Sequence, residues 1–229
     1  MLWPTSALLL GILLLPYTVE CGKNERRLLQ DLFKHYNKLE RPVVNESLAV
    51  GVNLGLTLQQ LIDLDEEKGV LTTNAWLKLE WTDENLRWNA SEYGGINDIH
   101  LPTSLIWTPD IMLYNNANYK VDETYETMVV VSSDGNCLYV PPRIFKSTCK
   151  VDKTSTEQRC NMKFGSWTYS GEFINLDKAG DSGDLDSYIS NERWEMITVS
   201  AARNEIYYSC CPEVYQDVTF TIHIKKIHG

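Results

Sequence analysis

The chain has 229 residues, six cysteines and a formal net charge of −10, from 31 acidic and 21 basic residues. This charge argues against binding to nucleic acid or to an anionic membrane, since both are negatively charged, and it favours cationic partners. The length allows one sizeable hydrophobic core or two small ones.

Residues 1–21 predict a secretory signal peptide. An apolar run at 7–15 is followed by a polar turn, and Val19 and Cys21 fit the small-residue pattern before a cleavage site. The run is too short to cross a membrane, and no later stretch approaches about 20 apolar residues. We therefore expect a secreted, extracellular protein whose mature chain, residues 22–229, forms one domain.

One amphipathic helix is predicted at the start of the mature chain. Apolar residues recur at helical spacing there: Leu29, Leu32, Phe33 and Tyr36. Pro42 ends the pattern, because proline cannot continue a helix. The charged and polar residues between the apolar positions indicate that only one face of this helix is buried.

The rest of the chain predicts short β-strands separated by turns. Apolar residues occupy every second position of the first strand: Leu48, Val50, Val52, Leu54, Leu56 and Leu58. The last strand repeats the alternation: Val218, Phe220, Ile222 and Ile224. Asp134-Gly135 predicts a hairpin turn, and the polar stretch 177–187 predicts a mobile loop. One helix among many strands indicates an all-β fold, an immunoglobulin-like β-sandwich.

The second predicted strand carries a tryptophan on its polar face. Its apolar face is formed by alternate residues: Leu71, Ala75, Leu77, Leu79 and Trp81. Trp76 lies on the opposite face, among polar side chains. Single exposed aromatic residues are common, so chance and a binding surface both explain this position, and the pattern alone leaves the two open.

Motifs for catalysis and metal binding lack supporting context. GDSGD at 180–184 is similar to the nucleophile segment of trypsin-like proteases, but Asp184 stands where that motif continues with glycine. His100 is not part of a general-base motif, so Ser182 has no evident catalytic partner. The four histidines show no ligand spacing. We therefore expect no enzyme, no cofactor and no metal, and a secreted hydrolase that uses Ser182 is the competing hypothesis.

Cleavage after Cys21 leaves five cysteines, and an odd number in an oxidising compartment implies two disulfides and one thiol. Cys210 and Cys211 are adjacent in IYYSCCPEVY. A bond between neighbours closes almost no loop and fits disulfide geometry poorly, so spacing leaves open a vicinal bond, two thiols or two distant partners. Asn45 in NES and Asn89 in NAS are acceptors for N-glycosylation, consistent with secretion.

Aromatic residues are the remaining candidates for a functional site. Trp167 lies between two glycines in GSWTYSG, and Tyr114 ends an apolar run. Each of these, taken singly, is explained as a core residue whose polar atom is satisfied. Together with Tyr208, Tyr215 and Trp76 they suggest a site for a cation. Several ring faces around one point attract a quaternary ammonium, each by about 0.5–2 kcal/mol.

Five segments resemble the ligand-binding domain of nicotinic acetylcholine receptors, which belong to the Cys-loop family. In chain order they are LTTNAWLKLEWTDENLRWNASEY, IWTPDIMLYNN, YVPPRIFKSTC, KFGSWTYSG and YYSCCPEVYQDVTFTI. Members of this family are β-sandwiches with an N-terminal helix and assemble into rings of five subunits with binding sites between neighbours. The resemblance therefore implies a homopentamer that binds acetylcholine or nicotine-like amines.

The resemblance also assigns roles to individual residues. It implies a principal face on one subunit: Tyr114, Trp167, Tyr208, Tyr215 and the tip of a closing loop at Cys210-Cys211. It implies a complementary face on the next subunit: Trp76, Val130, Leu138 and Val140. Lys163 and Asp217 match a buried charged pair. The expected disulfides are Cys149–Cys160 and Cys210–Cys211, which leaves Cys137 as a thiol.

The loop between Cys149 and Cys160 departs from the receptors. Channel subunits carry an apolar FPFD-like segment there, which touches the membrane domain, whereas the ten residues here are polar except Val151. The absence of a membrane span up to IKKIHG is a second difference. Both features are similar to soluble acetylcholine-binding proteins. We expect a secreted binding protein, for example a synaptic one; the alternative is the extracellular domain of a nicotinic-type cation channel subunit, truncated before its membrane spans.

Overall fold

The computed structural model describes residues 22–118, 125–209 and 211–227, so the predicted signal peptide lies outside the described residues. Within these ranges the chain forms α1 (Lys23–Phe33), a 3-10 helix (Ala90–Tyr93) and eleven strands. The strands are β1 (Val50–Asp65), β2 (Val70–Arg87), β3 (Asp98–Pro102), β4 (Ile111–Leu113), β5 (Met128–Ser132), β6 (Asp134–Tyr139), β7 (Pro142–Thr148), β8 (Glu157–Ser166), β9 (Ile174–Lys178), β10 (Trp194–Tyr207) and β11 (Val214–Lys226). Neither helix in this part of the chain is long and apolar enough to cross a membrane.

The strands form the two sheets of a β-sandwich, which confirms the predicted all-β class with one N-terminal α-helix. The seven-stranded sheet has the order β3-β5-β6-β2-β1-β9, and β7 pairs with β2 beside β6. The four-stranded sheet has the order β10-β11-β8-β4. β1 and β9 pair in parallel, whereas the hairpin strands β1 and β2 and the strands of the smaller sheet pair antiparallel.

Alternating apolar residues from both sheets fill one core. On β1, the even positions from Val50 to Leu58 are at most 2% exposed, as the alternation predicts. Phe145 of β7 contacts Phe164 of β8 across the sandwich, with ring centroids 5.4 Å apart. Phe164 in turn contacts Phe220 of β11 at 6.1 Å. Burial of each ring stabilises the fold by about 1.5–3 kcal/mol, so these contacts fix one sheet on the other.

A disulfide between Cys149 and Cys160 also joins the two sheets. Cys149 directly follows β7 of the larger sheet, and Cys160 lies in β8 of the smaller one. By restricting the unfolded chain, a cross-link over a loop of this size contributes about 3 kcal/mol. Cys137 on β6 is a buried thiol, and burial raises its pKa to about 12. Both features agree with the expected cysteine chemistry.

The helix is shorter than the sequence pattern predicts. It ends at Phe33, although the apolar spacing continues to Tyr36. The Tyr36 hydroxyl donates to Asp83 Oδ2 at 2.7 Å and accepts from the Trp107 backbone N–H at 2.9 Å. These long-range bonds take Tyr36 out of the helical path. Leu28, which is not in the predicted apolar set, is the fully buried residue of α1.

The start of β1 differs from the sequence prediction, whereas the turn between β5 and β6 agrees with it. Leu48 is 52% exposed and precedes β1, because pairing begins at Val50, whose N–H donates to Phe173 O at 2.9 Å. The hairpin turn between β5 and β6 is confirmed. Gly135 has a φ of +83° there, a left-handed conformation that favours glycine.

The polar stretch 177–187 is hydrogen-bonded to both sheets, contrary to the expected mobile loop. The backbone N–H of Asp184 donates to Leu56 O at 2.8 Å, and its backbone carbonyl accepts from the Leu58 N–H at 2.9 Å; both partners lie on β1. Gly183 donates to β10 at 2.9 Å. Composition predicts a loop here, but the backbone continues from β9 along β1 and satisfies its polar groups on neighbouring strands.

Candidate functional site

The four predicted principal-face aromatics lie at one end of the four-stranded sheet. Each stands where a strand begins or ends: Tyr114 after β4, Trp167 after β8, Tyr208 after β10 and Tyr215 near the start of β11. They form two edge-to-face pairs. The ring centroids of Tyr114 and Trp167 are 6.0 Å apart, and those of Tyr208 and Tyr215 are 5.6 Å apart.

Strand register explains why residues so far apart in sequence lie close together. Leu113 of β4 pairs with Phe164 of β8, and the neighbouring Gly165 pairs with Asp217 of β11. The start of β11 in turn pairs with the end of β10. The ends of four strands therefore lie side by side at one edge of the sandwich. We call the four aromatic residues there the aromatic cluster.

The aromatic cluster presents ring faces to solvent. Trp167 is 68% exposed and Tyr208 is 40% exposed, whereas Tyr114 is half-buried. Burial raises the pKa of Tyr114, and nearby Tyr208 and Asp110 raise it further. The Tyr114 phenol is therefore neutral at physiological pH, and its hydroxyl donates to Ser166 O. The cluster can attract a cation through its ring faces and hold it with few hydrogen bonds.

Asp110 holds the loop that carries Trp167, a role that sequence reasoning missed. Its carboxylate accepts from Ser166 Oγ at 2.5 Å and from the Thr168 N–H at 2.7 Å. These bonds span more than fifty positions of sequence. The available signal was the Pro109-Asp110 pair between two strands, which is typical of a turn residue with a side-chain acceptor.

Gly165 allows Tyr114 to lie directly against β8. A Cβ on Gly165 would stand 2.5 Å from Tyr114 Oη and 2.6 Å from its Cζ. The backbone N–H of Tyr114 donates to Lys163 O at 2.7 Å, which holds the residue at the edge of that strand. Glycine within a strand often marks such a close approach, and it is the signal that could have revealed this contact.

The Lys163–Asp217 pair expected from the resemblance lies beside the aromatic cluster. Lys163 Nζ is 3.1 Å from Asp217 Oδ2 and 5.7 Å from the Tyr114 ring centroid. Asp217 is 2% exposed, and its Oδ1 accepts from Asn204 and Thr219 at 2.8 Å each. Oδ2 accepts no hydrogen bond from the described residues, so its contact with Lys163 is an ion pair. A buried carboxylate needs such a partner.

The predicted complementary-face residues form one row on the outer face of the seven-stranded sheet. Trp76 lies on β2, Val130 on β5 and Leu138 on β6, and Val140 directly follows β6. Val130 pairs with Leu138, which pairs with Glu80 on the same face of β2 as Trp76. Cross-strand partners share a face, so backbone pairing alone aligns this row. Trp76 is 40% exposed, and its position on the polar face is confirmed.

The row and the aromatic cluster occupy different sheets of one chain. Trp76 pairs with Thr57 and Pro142, both in the larger sheet. Among the described residues, no ring contact joins Trp76 to the aromatic cluster. One chain therefore displays two separate surfaces.

Comparison with known proteins identifies the family. Residues 25–227 match the family described as "Neurotransmitter-gated ion-channel ligand binding domain". The chain belongs to this family. It is an acetylcholine receptor ligand-binding domain-like protein, and the family is a receptor family rather than an enzyme family.

Similar proteins bear the names of acetylcholine receptor subunits. "Acetylcholine receptor subunit alpha-type acr-16" of Caenorhabditis elegans is 47% identical over 205 residues, 88% of this chain and 41% of that protein. "Acetylcholine receptor subunit alpha-like 2" of Drosophila melanogaster is 42% identical, over 96% of this chain and 40% of that protein. "Neuronal acetylcholine receptor subunit alpha-2" of Homo sapiens is 42% identical, over 90% and 39%. The chain thus spans about two fifths of the length of these relatives.

Other predicted features of this ligand-binding domain lie at its surface. Cys211 is disulfide-bonded, and Cys210, its expected partner, lies outside the described residues. Asn45 and Asn89, the glycosylation candidates, are exposed. Asn45 Oδ1 accepts from the Ser47 N–H at 2.9 Å. Asn89 caps the 3-10 helix.

Among the described residues of this domain, a metal site would require clustered ligands and a serine hydrolase would require a partner of Ser182. No cluster of three or more His, Cys, Asp or Glu side chains in them could hold a metal ion. Ser182 bridges to Ser200 of the smaller sheet, whereas His100 pairs with Val130 in the larger one. In this part of the chain no hydrogen bond links Ser182 to a histidine, so the arrangement required for a serine nucleophile is missing.

Proposed function

We propose that this domain binds acetylcholine or a related quaternary or cationic amine, such as a nicotine-like amine, in an aromatic cage. The observation that carries the proposal is the aromatic cluster, with its two ring pairs 6.0 Å and 5.6 Å apart at one end of the smaller sheet. Ring faces carry partial negative charge and attract a cation, each by about 0.5–2 kcal/mol. Because the Tyr114 phenol is neutral, its ring attracts the cation through the ring face and not through a phenolate charge.

We further propose that five copies form a homopentameric ring with a cage at each interface. The aromatic cluster and Cys210-Cys211 supply the principal face, and the row from Trp76 to Val130 on the next subunit supplies the complementary face. A tryptophan that is 40% exposed on a polar strand face is consistent with burial by a neighbour. Two different surfaces in contact form a head-to-tail interface, and such an interface forms a ring when the rotation between neighbours closes.

A secreted, soluble protein is favoured by the loop between Cys149 and Cys160. Gln158 is 2% exposed; its amide donates to Asp152 O at 2.7 Å and Ser155 O at 3.0 Å. Val151, the single apolar residue of the loop, is half-buried against the core. The loop thus bonds to itself and offers no apolar face to a membrane domain.

The extracellular domain of a channel subunit is the second candidate, because the similar proteins are named as receptor subunits and are longer than this chain. The messenger RNA beyond the Gly229 codon distinguishes the two candidates. A stop codon there supports the soluble protein, and an open reading frame with membrane spans overturns it. N-terminal sequencing and glycosidase treatment of secreted material test cleavage after Cys21 and sugars at Asn45 and Asn89.

The cage is tested by comparing acetylcholine with its neutral isostere 3,3-dimethylbutyl acetate. Wild-type protein should bind the cation more tightly, and Trp167→Ala should weaken that binding at least tenfold, or about 1.4 kcal/mol. Trp167→Phe, which keeps a ring face, is the control and should lose less. Equal affinity for the isostere and the cation would contradict the cation–π account.

Co-expression tests the site between subunits. Trp167→Ala and Trp76→Ala rings should each bind poorly, because every pocket lacks one side. Mixed rings should regain some intact pockets, where an intact principal face meets an intact complementary face. Saturation binding on co-expressed and separately expressed variants measures this recovery. Mixed rings without any recovered sites would show that the pocket does not combine two chains.

A further inference from the structure

A cavity of about 610 Å³ opens beside the Cys149–Cys160 disulfide. Its side chains are basic or uncharged, and none of the acidic residues that the structure describes lines it. The basic residues are Lys68, Lys150, Arg159 and Lys163. The chain as a whole has 31 acidic and 21 basic residues, so a purely basic lining contrasts with its average surface. We call this feature the basic cavity.

The fold brings these basic residues together from three separate segments. Lys68 lies in the turn between β1 and β2, and Lys150 directly follows Cys149. Arg159 and Lys163 lie on β8, where alternate side chains point to one face. The Cys149 N–H donates to Gly69 O at 2.8 Å, which holds the turn against the disulfide.

Two of the four cations lack a neutralising partner. Lys68 forms an ion pair with Asp65 at 3.0 Å, and Lys163 contacts Asp217 at 3.1 Å. Lys150 and Arg159 make no ion pair within residues 22–118, 125–209 and 211–227. Their charge is therefore available to a ligand. Like charges gathered in a concave site reinforce one another, and this raises the local concentration of anions.

Uncharged residues also line the basic cavity, and one of them supplies a hydrogen-bond donor. Asn161 lies between Arg159 and Lys163 on the same face of β8, and its Oδ1 accepts from Thr221 Oγ1 at 2.9 Å. This bond directs the carbonyl oxygen away and leaves the Asn161 amide N–H groups to donate. Asn115 holds the opposite side, since its amide donates to Thr148 O at 3.0 Å and to Asn161 O at 2.8 Å.

We propose that the basic cavity binds a small oxyanion with two negative charges, such as sulfate or a phosphate monoester. Arg159 supplies a planar fork that matches two oxygens of such a group, and Lys150 supplies a compact charge. The Asn161 amide donates to a third oxygen. A cavity of about 610 Å³ has the size of a small-ligand site.

Lys163 lines the basic cavity and also lies beside the proposed cage. The Lys163 ammonium is 5.7 Å from the Tyr114 ring and also lines the cavity. An anion there draws Lys163 away from the ring and from Asp217, so amine and anion should affect each other's binding reciprocally. This part rests on the proposed function, whereas anion binding itself does not.

Calorimetric titration with sodium sulfate and with phenyl phosphate tests the site, at an ionic strength held constant with sodium chloride. The wild-type protein should bind both anions, and the double variant Lys150→Gln/Arg159→Gln should bind them at least about tenfold more weakly. Lys34→Gln is the control for the loss of a surface charge outside the cavity, because Lys34 is exposed and directly follows α1. Its affinity for sulfate should equal that of the wild type.

Unchanged sulfate affinity in the double variant, or no binding to the wild type, overturns the proposal. Tighter binding of a polyglutamate peptide than of either small anion also overturns it, since the partner would then be an acidic protein. Circular dichroism and thermal unfolding verify that the variants fold. Lys150→Arg, which keeps the charge, should retain binding, whereas Arg159→Lys, which loses the planar fork, should bind more weakly. Sulfate should shift amine affinity in the wild type and in Lys34→Gln but not in Lys150→Gln/Arg159→Gln; an unchanged value in the wild type refutes the role of Lys163.

Discussion

Trp167 and Trp76 are both exposed, at 68% and 40%, yet different interactions position them. Trp167 lies in a loop beyond β8, and the Asp110 carboxylate holds this loop by bonds to Ser166 Oγ and the Thr168 N–H. Trp76 lies inside β2, between paired residues on both neighbouring strands. Side-chain contacts thus define one surface, and backbone pairing defines the other.

This difference bears on how each surface responds to substitution. A side-chain contact is lost when one residue changes, whereas a backbone ladder survives most single substitutions because its hydrogen bonds do not involve the side chain. The aromatic cluster should therefore be sensitive to changes outside it. The row that contains Trp76 should be sensitive mainly to replacement of its own residues. Three matched experiments test this contrast.

The largest effect is expected from Gly165→Ala. The new Cβ would stand 2.5 Å from Tyr114 Oη, so the Tyr114 ring must move. We expect a loss of about 1–3 kcal/mol in the free energy of unfolding and a fall of about tenfold or more in acetylcholine affinity. Gly55→Ala on β1 is the control: its Cβ would meet Lys78 Cβ at 3.4 Å, an ordinary contact. Urea denaturation and ligand titration measure both; equal losses would contradict the contrast.

A smaller effect is expected from Asp110→Asn. The amide is uncharged and replaces one acceptor oxygen with a donor, so Ser166 Oγ must accept instead of donating while the Thr168 N–H keeps the remaining oxygen, and both charge-assisted hydrogen bonds are lost. Acetylcholine affinity should fall by about threefold to tenfold, with Trp167 less ordered. Glu80→Gln, which removes the 2.9 Å ion pair with Lys78 on the strand and face that carry Trp76 but replaces no residue of the row, should leave affinity unchanged. If Glu80→Gln weakens binding as much as Asp110→Asn, the expected difference in sensitivity between the two surfaces is wrong.

The smallest effect concerns pH and Tyr114. Burial raises the pKa of Tyr114 above its ordinary value of 10.0, so the folded chain keeps this proton after the unfolded chain has lost it. The free energy of unfolding should therefore fall as the pH rises above about 10. Tyr114→Phe should show a shallower fall in urea denaturation between neutral and alkaline pH. An identical slope would mean that the phenol titrates alike in both states.

Much of the fold follows from short patterns in the sequence. The alternation from Val50 to Leu58 predicts which face of β1 is buried, because side chains of a strand point to opposite sides in turn. The same rule predicts that Trp76 is exposed on the polar face of β2. The predictions for the end of the helix and for the stretch 177–187 were wrong, because hydrogen bonds to distant segments determine the backbone path in both places.

Local patterns of residues predict the strands and their inward faces, and the family resemblance predicts the aromatic residues of the cluster. Three contacts become visible only in the folded chain: Asp110 bonds across 56 positions to Ser166, Gly165 lies against Tyr114, and Lys150 and Arg159 line one cavity. Periodicity is a local property that a short window of residues encodes. Contacts between distant segments depend on the register and order of whole strands, which no short window contains.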